Sequence, residues 1–207
     1  KKLYYSYYTI AGDNIRRTYS NIVKVQFNNW KEGCKRPKYA ILKKFHCIKK
    51  VFKDEAKTLR MVSKLHKNIV KYYHEQEIEE EKVNGKKVKK YCLFMELCEH
   101  ESVANQMQMV EWDIAKKLRI CSEIVDALSV LHSHFLAHRN INLDHIFLTA
   151  EDEVRIGSFN FAKNIRLGNV RHSIGGPPDY MSPFLNSLHK SNIGSDERIN
   201  PFKEDVW

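Results

Sequence analysis

The chain has 207 residues, 43% of them hydrophobic, and its 35 lysine and arginine residues against 25 aspartate and glutamate residues give a formal net charge of +10. This composition is typical of a globular protein with one or two compact lobes and enough chain to bury a sizeable core. No run approaches the roughly 18 consecutive apolar residues of a membrane span, and the start lacks the layout of a signal peptide, so we expect no membrane association and a cytoplasmic or nuclear location.

The cysteine pattern and the dispersed lysines argue against two further classes, disulfide- or zinc-stabilised proteins and nucleic-acid-binding proteins. The five cysteines are odd in number and never form a C-x-x-C pair, so neither a disulfide framework nor a zinc site is predicted. The positive charge could attract nucleic acid. However, the lysines are dispersed, with a local cluster only over residues 82–90, and no aromatic and basic recognition motif accompanies them. Nucleic acid is therefore not the expected partner.

The first half of the sequence predicts strands around one helix. Runs rich in β-branched and aromatic residues over 20–27 and 38–45 predict a hairpin with a long loop. Apolar residues at steps of three and four over 52–65 predict a helix with one buried face. Two more strand-like runs, 68–73 and 91–97, are joined by a charged segment around Asn84 and Gly85, which predicts an exposed hairpin tip.

The second half predicts a long helix followed by short strands and loops. Apolar residues recur at steps of four and three, which predicts a buried helical face over 114–131, with Asp113 as the N-cap of the helix. The residues of this face are Ile114, Leu118, Cys121, Val125 and Leu128, and Ile124 and Leu131 widen it. Short strands are predicted at 146–148 and 153–156, followed by a loop containing the sequence GGPP at 175–178.

Four motifs in this half resemble a protein-kinase domain. Residues 138–147, HRNINLDHIF, align without a gap with the kinase catalytic loop H-R-D-L-x-x-x-N. Residues 156–163, IGSFNFAK, are similar to the strand and turn that carry D-F-G. Residues 176–184, GPPDYMSPF, resemble the end of an activation segment, where A-P-E is expected, and residues 205–207, DVW, resemble the start of the next helix. Their order and spacing agree with the family.

The resemblance implies an α+β, two-lobed protein-kinase-like fold. Residues 1–97 are expected to form a β-rich small lobe, and residues 98–207 the first part of a mainly helical large lobe. Because kinase domains normally continue for several more helices, we expect the fold to be truncated on its C-terminal side. The sequences LFMELC, IFLT and YMSP also resemble those of kinases that act on the translation initiation factor alpha subunit.

The resemblance also implies that the phosphoryl-transfer residues are replaced. Asn140 stands at the position of the aspartate that accepts the substrate proton, and Asn142 at that of the catalytic-loop lysine. His145 and Ser158 stand at the positions of the two magnesium ligands. An amide has no useful basicity, and magnesium prefers oxygen ligands that include a carboxylate. No catalytic residue is therefore intact, and no metal is expected.

Four further positions keep family residues with structural roles. By resemblance, His138 is the packed histidine that supports the catalytic loop, and Asp205 holds the backbone of that loop. Arg139 and Phe159 are the arginine and phenylalanine of the two motifs.

A remnant of a nucleotide pocket is also implied. Its expected members are Val23, Ala40, Lys43, Glu55, Met95, Glu96, Leu97 and Phe147. Counting from Ala40, the lysine of V-A-I-K falls at Leu42, so a one-residue bulge is needed to turn Lys43 inward. Either Lys43 pairs with Glu55, or both are solvated charges, and the choice between Lys43 and Lys44 stays open. Side chains replace the glycines of the phosphate-covering loop at Arg16, Thr18 and Asn21, so phosphate binding should be poor.

Together these features predict a catalytically inactive kinase-like domain, a pseudokinase, that regulates or scaffolds a partner protein or kinase domain. No cofactor is expected, although ATP without magnesium is possible. The alternative is a residual ATP-binding serine/threonine kinase, or another ATP-dependent transferase, that recruits a carboxylate such as Asp144 or Asp152 to hold the metal. The sequence leaves the partner, nucleotide binding and the oligomeric state open.

Overall fold

The computed structural model describes residues 8–16, 20–28, 37–45, 49–81, 87–166, 176–191 and 199–207. The chain divides into two compact units, one of residues 1–60 with 70–97 and the other of residues 61–69 with 98–207. Residues 61–69 therefore group with the second unit, whereas the sequence assigned them to the first.

The first unit is built on a five-stranded antiparallel sheet with the order β1-β2-β3-β5-β4. The strands are β1 (Tyr8–Arg16), β2 (Ser20–Phe27), β3 (Tyr39–Phe45), β4 (Tyr72–Glu81) and β5 (Lys87–Met95). The predicted hairpin of β2 and β3 is present. A hairpin of β4 and β5 is also present, but its first strand was predicted at 68–73, and the Glu-rich segment predicted as part of the tip belongs to β4. The connection at 82–86 lies outside the described residues. Strand β1, whose pairing with β2 shifts register between Ile10 and Asn14, was not predicted.

Helix α1 (Lys49–Val62) packs with the face that the sequence predicted. Its apolar residues Phe52, Ala56, Leu59 and Val62 are all buried. The Phe52 ring stacks on Tyr91 of β5 at 5.1 Å between centroids, and it meets Phe45 of β3 edge-on at 5.5 Å. The helix is therefore tied to the sheet through aromatic contacts.

A second apolar cluster contains residues of β1 to β5 and includes Ala40 and Leu42 of β3. Its buried members are Tyr8, Val25, Ala40, Leu42, Ile78, Cys92 and Phe94. Since alternate residues of a strand point to opposite faces, Ala40 and Leu42 share one face of β3, and Ile41, Lys43 and Phe45 share the other.

The second unit is mainly helical. Its helices are α2 (Val103–Met109), α3 (Ile114–Ser133), α4 (Pro183–Ser191) and α5 (Pro201–Val206). Its short strands β6 (Leu136–Ala137) and β9 (Lys163–Asn164) pair with each other, as do β7 (Ile146–Leu148) and β8 (Val154–Ile156). The sequence predicted α3, β7 and β8, and it missed α2.

Helix α3 begins as predicted, because the Asp113 carboxylate accepts a hydrogen bond from the Lys116 N–H at 2.7 Å. The predicted buried face is correct only toward the end of the helix. Ile114, Leu118 and Val125 are 70%, 62% and 62% exposed. The buried residues of the helix are Ile120, Ala127, Leu128 and Leu131, of which the last two belong to the predicted face.

No described helix is both long enough and apolar enough to cross a membrane. Among the described residues, Cys92, Cys98 and Cys121 form no disulfide bond, and the first two are buried. Cys34 and Cys47 lie outside the described residues.

Candidate functional site

The loop that resembles a catalytic loop is held by one buried carboxylate. Asp205 of α5 accepts hydrogen bonds from the backbone N–H groups of His138 at 2.7 Å and Arg139 at 2.5 Å. Nε2 of His132, at the end of α3, lies 2.9 Å from the same carboxylate. Hydrogen bonds to a charged acceptor are among the stronger ones in proteins. Asp205 therefore fixes the first turn of the loop.

His138 is fully buried and its two ring nitrogens have different partners. Nδ1 accepts from the Asn140 N–H at 3.3 Å, so Nε2 carries the proton and donates to the Gly157 carbonyl at 2.8 Å. The ring also meets Phe159 edge-on at 4.8 Å between centroids. Burial lowers the pKa of His138 to about 4. The residue is thus a neutral element of the core that links the loop to the turn after β8.

Arg139 has a left-handed backbone, with φ of 65°. Its guanidinium lies 3.4 Å from the Phe161 carbonyl, and burial lowers its pKa from the ordinary arginine value. The side chain therefore points toward the turn that follows Phe159.

Asn140 and Asn142 form an amide pair inside this loop. Both are buried, at 5% and 3% exposure. Asn142 Nδ2 lies 3.2 Å from both the backbone carbonyl and Oδ1 of Asn140, and Asn142 Oδ1 accepts from the Asp144 N–H at 3.0 Å. Asn140 Nδ2 lies 3.4 Å from Oδ1 of Asn160. One hydrogen bond thus joins the two amides, and their remaining groups bond to the loop backbone and to Asn160 without any charged group.

His145 belongs to the same network. Its Nδ1 lies 2.8 Å from Asn142 Nδ2 and 3.1 Å from the Asn140 carbonyl. An unprotonated Nδ1 accepts from the amide, and a protonated one donates to the carbonyl, so this nitrogen is engaged in either tautomer. His145 is therefore a hydrogen-bonding partner of the two asparagines.

Ser158 occupies a left-handed backbone conformation, with φ of 62° and ψ of 56°. It precedes a short 3-10 turn, Phe159–Phe161, in which Phe159 is buried. Its side chain is half-buried and offers an uncharged hydroxyl. The position thus keeps a constrained backbone but has no carboxylate.

The residues present do not fit a magnesium ion. Magnesium needs near-octahedral oxygen ligands and usually binds one or two carboxylates. The two positions assigned to it by resemblance supply the Ser158 hydroxyl and the His145 imidazole. Across the part of the chain that the structure describes, no group of three or more His, Cys, Asp or Glu side chains could hold a metal ion.

The two aspartates considered as replacement ligands lie in different surroundings. Asp144 is exposed. Asp152 accepts from Lys116 Nζ at 2.7 Å and lies 2.9 Å from His100 Nδ1. The hydrogen bond from Lys116, with a smaller contribution from His100, lowers the pKa of Asp152. Its carboxylate is therefore committed to an ion-paired cluster with α3.

The segment that resembles the end of an activation segment approaches Asn140. Gly176 has φ of 96°, and a Cβ placed there would lie 3.2 Å from Oδ1 of Asn140. Glycine permits both this backbone and this close approach. Further along, Phe184, which replaces the A-P-E glutamate, is 45% exposed at the start of α4.

In the first unit, Lys43 and Glu55 form an ion pair. Lys43 Nζ lies 2.7 Å and 2.9 Å from the two carboxylate oxygens of Glu55, which is only 3% exposed. This excludes two solvated charges, the alternative left open by the sequence. The register of β3 is continuous with both β2 and β5, so no bulge turns Lys43.

The continuous register corrects the predicted pocket remnant. Ala40, and Val23, which pairs with Leu42, lie on the face of the sheet opposite Lys43. Ile41 shares the face of Lys43, and so does its partner Met95.

The other members of the remnant are placed individually. Glu96 is 9% exposed, and its carboxylate accepts from the Lys71 N–H at 2.9 Å. Leu97 is half-buried at the end of the first unit. Phe147 lies on β7 of the second unit and pairs with Arg155.

Sequence reasoning missed three contributors to the site. His132 contacts Asp205, Asn160 contacts Asn140, and the Gly157 carbonyl contacts His138. No role was predicted for His132 from the sequence. Its position in the last turn of a predicted helix, ahead of the catalytic-loop motif, is the signal that points to a role in supporting that loop.

Comparison with known proteins relates this arrangement to one family. Residues 33–197 match the family described as "Protein kinase domain". Over 166 residues, or 72% of this chain, the sequence is 32% identical to the interferon-induced, double-stranded RNA-activated protein kinase of Rattus norvegicus. Over 119 residues, or 56% of the chain, it is 29% identical to the serine/threonine-protein kinase Nek3 of Oryza sativa subsp. japonica.

A third relative is the serine/threonine-protein kinase PLK2 of Mus musculus, with 28% identity over 147 residues and 69% of this chain. The alignments cover 32% of the rat protein, 19% of the rice protein and 18% of the mouse protein. The chain thus spans no more than about a third of the length of these relatives.

Proposed function

Because the chain belongs to the protein kinase domain family, we propose that it is a member without phosphoryl-transfer activity, which regulates or scaffolds a partner protein. The motifs had predicted the family and its α+β fold. The observation that carries the proposal is the closed amide network of Asn140 and Asn142. Two neutral, hydrogen-bonded amides stand where the family has a general base and a cation.

The first step that fails is proton acceptance. In the family, a catalytic-loop aspartate accepts the proton of the substrate hydroxyl. The Asn140 amide can hydrogen-bond a hydroxyl but cannot take up its proton at neutral pH. Losing a general base typically slows a reaction by about a hundredfold to ten-thousandfold. This loss alone leaves residual activity possible.

The second step that fails is charge neutralisation. The family relies on metal ions and a lysine to balance the charge of the transferred phosphoryl group. Here Asn142 supplies no charge, Ser158 supplies no carboxylate, and Nδ1 of His145 is bound within the loop. With base, metal ligands and cation all absent, a single compensating residue does not restore the reaction.

Features that hold the fold are retained, which supports a binding role. Asp205 binds the loop backbone, and His138 and Phe159 pack together in the core. A retained scaffold without reactive groups fits a protein that acts by binding through its surface, with a protein such as a kinase domain as its partner. Among the described residues the cysteines form no disulfide bond, which fits a reducing cytoplasmic or nuclear compartment.

The second candidate is a residual ATP-binding kinase or transferase, and one observation favours it. The Lys43–Glu55 ion pair is the pair that positions the α- and β-phosphates in active members of the family. It is compatible with nucleotide bound without magnesium. A metal-dependent reaction needs a carboxylate ligand, and Asp152 is already paired with Lys116.

A phosphotransfer assay separates the two candidates. The chain is incubated with labelled ATP, magnesium or manganese, and a general protein substrate, beside a Lys43→Met variant as matched control. We expect incorporation equal to that of the control with either metal. Phosphate transfer by the unmodified chain that the Lys43→Met variant does not show would contradict the proposal.

A further inference from the structure

The outer side of α1 carries a stripe of three lysines, Lys50, Lys53 and Lys57. At about 100° per residue, the three positions fall within an arc of about 60° and span about 10 Å along the helix axis. All three are exposed. The opposite side of the helix packs on the sheet through Phe52, so the stripe faces solvent.

The neighbouring cations of α1 are neutralised, and those of the stripe are not. Lys49 lies 3.7 Å from Glu77 and Arg60 lies 2.7 Å from Glu75, both on β4. Among the described residues, no carboxylate comes within 4 Å of the ammonium group of Lys50, Lys53 or Lys57. These three like charges repel one another, and a negatively charged partner relieves that repulsion.

The surroundings of the stripe select the kind of partner. Asp54 is exposed on the same helix, and Glu75 and Glu77 of β4 pair with Arg60 and Lys49, two other cations of α1. A phosphate backbone or an anionic bilayer carries negative charge over a wide area, so these carboxylates would repel it. Three lysines also provide few of the several phosphate contacts that support nucleic-acid binding. A polypeptide can place acidic groups on the stripe alone.

We infer that the stripe Lys50–Lys53–Lys57 docks an acidic helical segment of the protein partner. The lysines are spaced by three and four residues, which is the spacing of neighbours on one helical face. A partner helix with Asp or Glu at the same spacing therefore presents matching charges. This inference rests on the proposed binding function and names the surface that performs it.

A charge-reversal experiment tests the surface. The probe is a fluorescent alanine-based helical peptide with glutamates spaced by three and four residues, and its glutamine analogue is the negative control. One variant carries Lys50→Glu, Lys53→Glu and Lys57→Glu. The matched variant carries Lys67→Glu, Lys117→Glu and Lys190→Glu, three exposed lysines on other elements, so both variants change net charge equally. Fluorescence anisotropy gives Kd, and thermal denaturation verifies folding.

We expect the glutamate peptide to bind the chain and the matched variant with Kd values within about twofold, and the stripe variant about tenfold more weakly. The glutamine peptide should bind none of them. Equal weakening in both variants, or no binding of the glutamate peptide, overturns the inference. Tighter, stripe-dependent binding of a short RNA duplex or of phosphatidylserine vesicles also overturns it.

The failure of this inference is separable from the failure of the proposed function. If the chain transfers phosphate yet binds the peptide through the stripe, the proposed function fails and the docking surface stands. If the chain is inactive and the stripe variant binds like the matched variant, only the docking surface fails.

Discussion

Asn142 donates from its side-chain amide toward Oδ1 of Asn140 at 3.2 Å. In an active kinase the corresponding positions hold an aspartate and a lysine. Here the neutral amide of Asn142 donates to the neutral amide of Asn140, and this hydrogen bond holds the loop together without a charge on either side chain. Because buried polar groups are costly when unpaired, this pairing stabilises the loop while removing the groups that the reaction needs.

Asp205 anchors the loop, and we predict that Asp205→Asn destabilises the chain by about 2–4 kcal/mol. Asparagine has one uncharged side-chain oxygen, so it cannot replace both carboxylate oxygens, which accept from the N–H groups of His138 and Arg139. Chemical denaturation provides the measurement. Asp126→Asn, an exposed change on α3, is the control and should shift stability by less than about 0.5 kcal/mol. Equal effects of the two changes would show that Asp205 has no anchoring role.

The buried His138 makes stability depend on pH. Its pKa is about 4 in the folded chain against 6.5 ordinarily, so between these values the unfolded chain binds a proton here and the folded chain does not. The stabilisation from His138 is complete above about pH 6.5 and falls as the pH drops toward 4, by roughly 3 kcal/mol.

The variant that tests this is His138→Gln, measured by denaturation from pH 7 to pH 4. We expect a weaker fall in stability than in the unmodified chain, whereas His189→Gln, at an exposed histidine, should leave the slope unchanged. Parallel pH profiles for the chain and His138→Gln would rule out this origin of the pH dependence.

Breaking the Lys43–Glu55 pair should be costly, because Glu55 is left as a buried, unpaired charge. We predict that Lys43→Met destabilises the chain by about 3 kcal/mol and that the double variant Lys43→Met/Glu55→Leu recovers most of it. Lys44→Met is the control, because Lys44 lies on the opposite face of β3 from Lys43. A loss below about 0.5 kcal/mol for Lys43→Met would indicate a solvated pair.

The observed orientation of α3 predicts a large loss of stability for truncating one leucine of that helix and a small loss for another. Leu131 is fully buried and Leu118 is 62% exposed. Leu131→Ala should cost about 2–5 kcal/mol, and Leu118→Ala less than about 0.5 kcal/mol. Thermal or chemical denaturation of both variants checks this. The reverse order of effects would contradict the observed orientation of α3.

The partial error on α3 has a physical reason. The predicted stripe, which starts at Ile114 and Leu118, and the buried stripe, which starts at Ile120, both follow helical spacing and overlap only at Leu128 and Leu131. Periodicity shows that a helix has an apolar face, but it does not show which face packs on the core when two faces are apolar. The bounds and the N-cap depend on local hydrogen bonding, and these were predicted correctly.

The β3 strand illustrates the same limit. Residues 39–42 are all apolar or aromatic, so both faces look suitable for burial. Only the continuous pairing with β2 and β5 shows that Lys43 shares a face with Ile41 and not with Ala40. The motifs of the second unit were easier to predict, because each is a contiguous stretch whose residues meet through local turns.

Thermal denaturation with ATP shows whether the chain supports magnesium-dependent phosphoryl transfer. A ligand that binds the folded state raises the midpoint, so the comparison is ATP with magnesium or manganese against ATP with a chelator. We predict the same midpoint with and without metal, either unshifted or raised equally. A rise that requires the metal would show that the site binds metal-bound nucleotide and would overturn the proposed loss of catalysis.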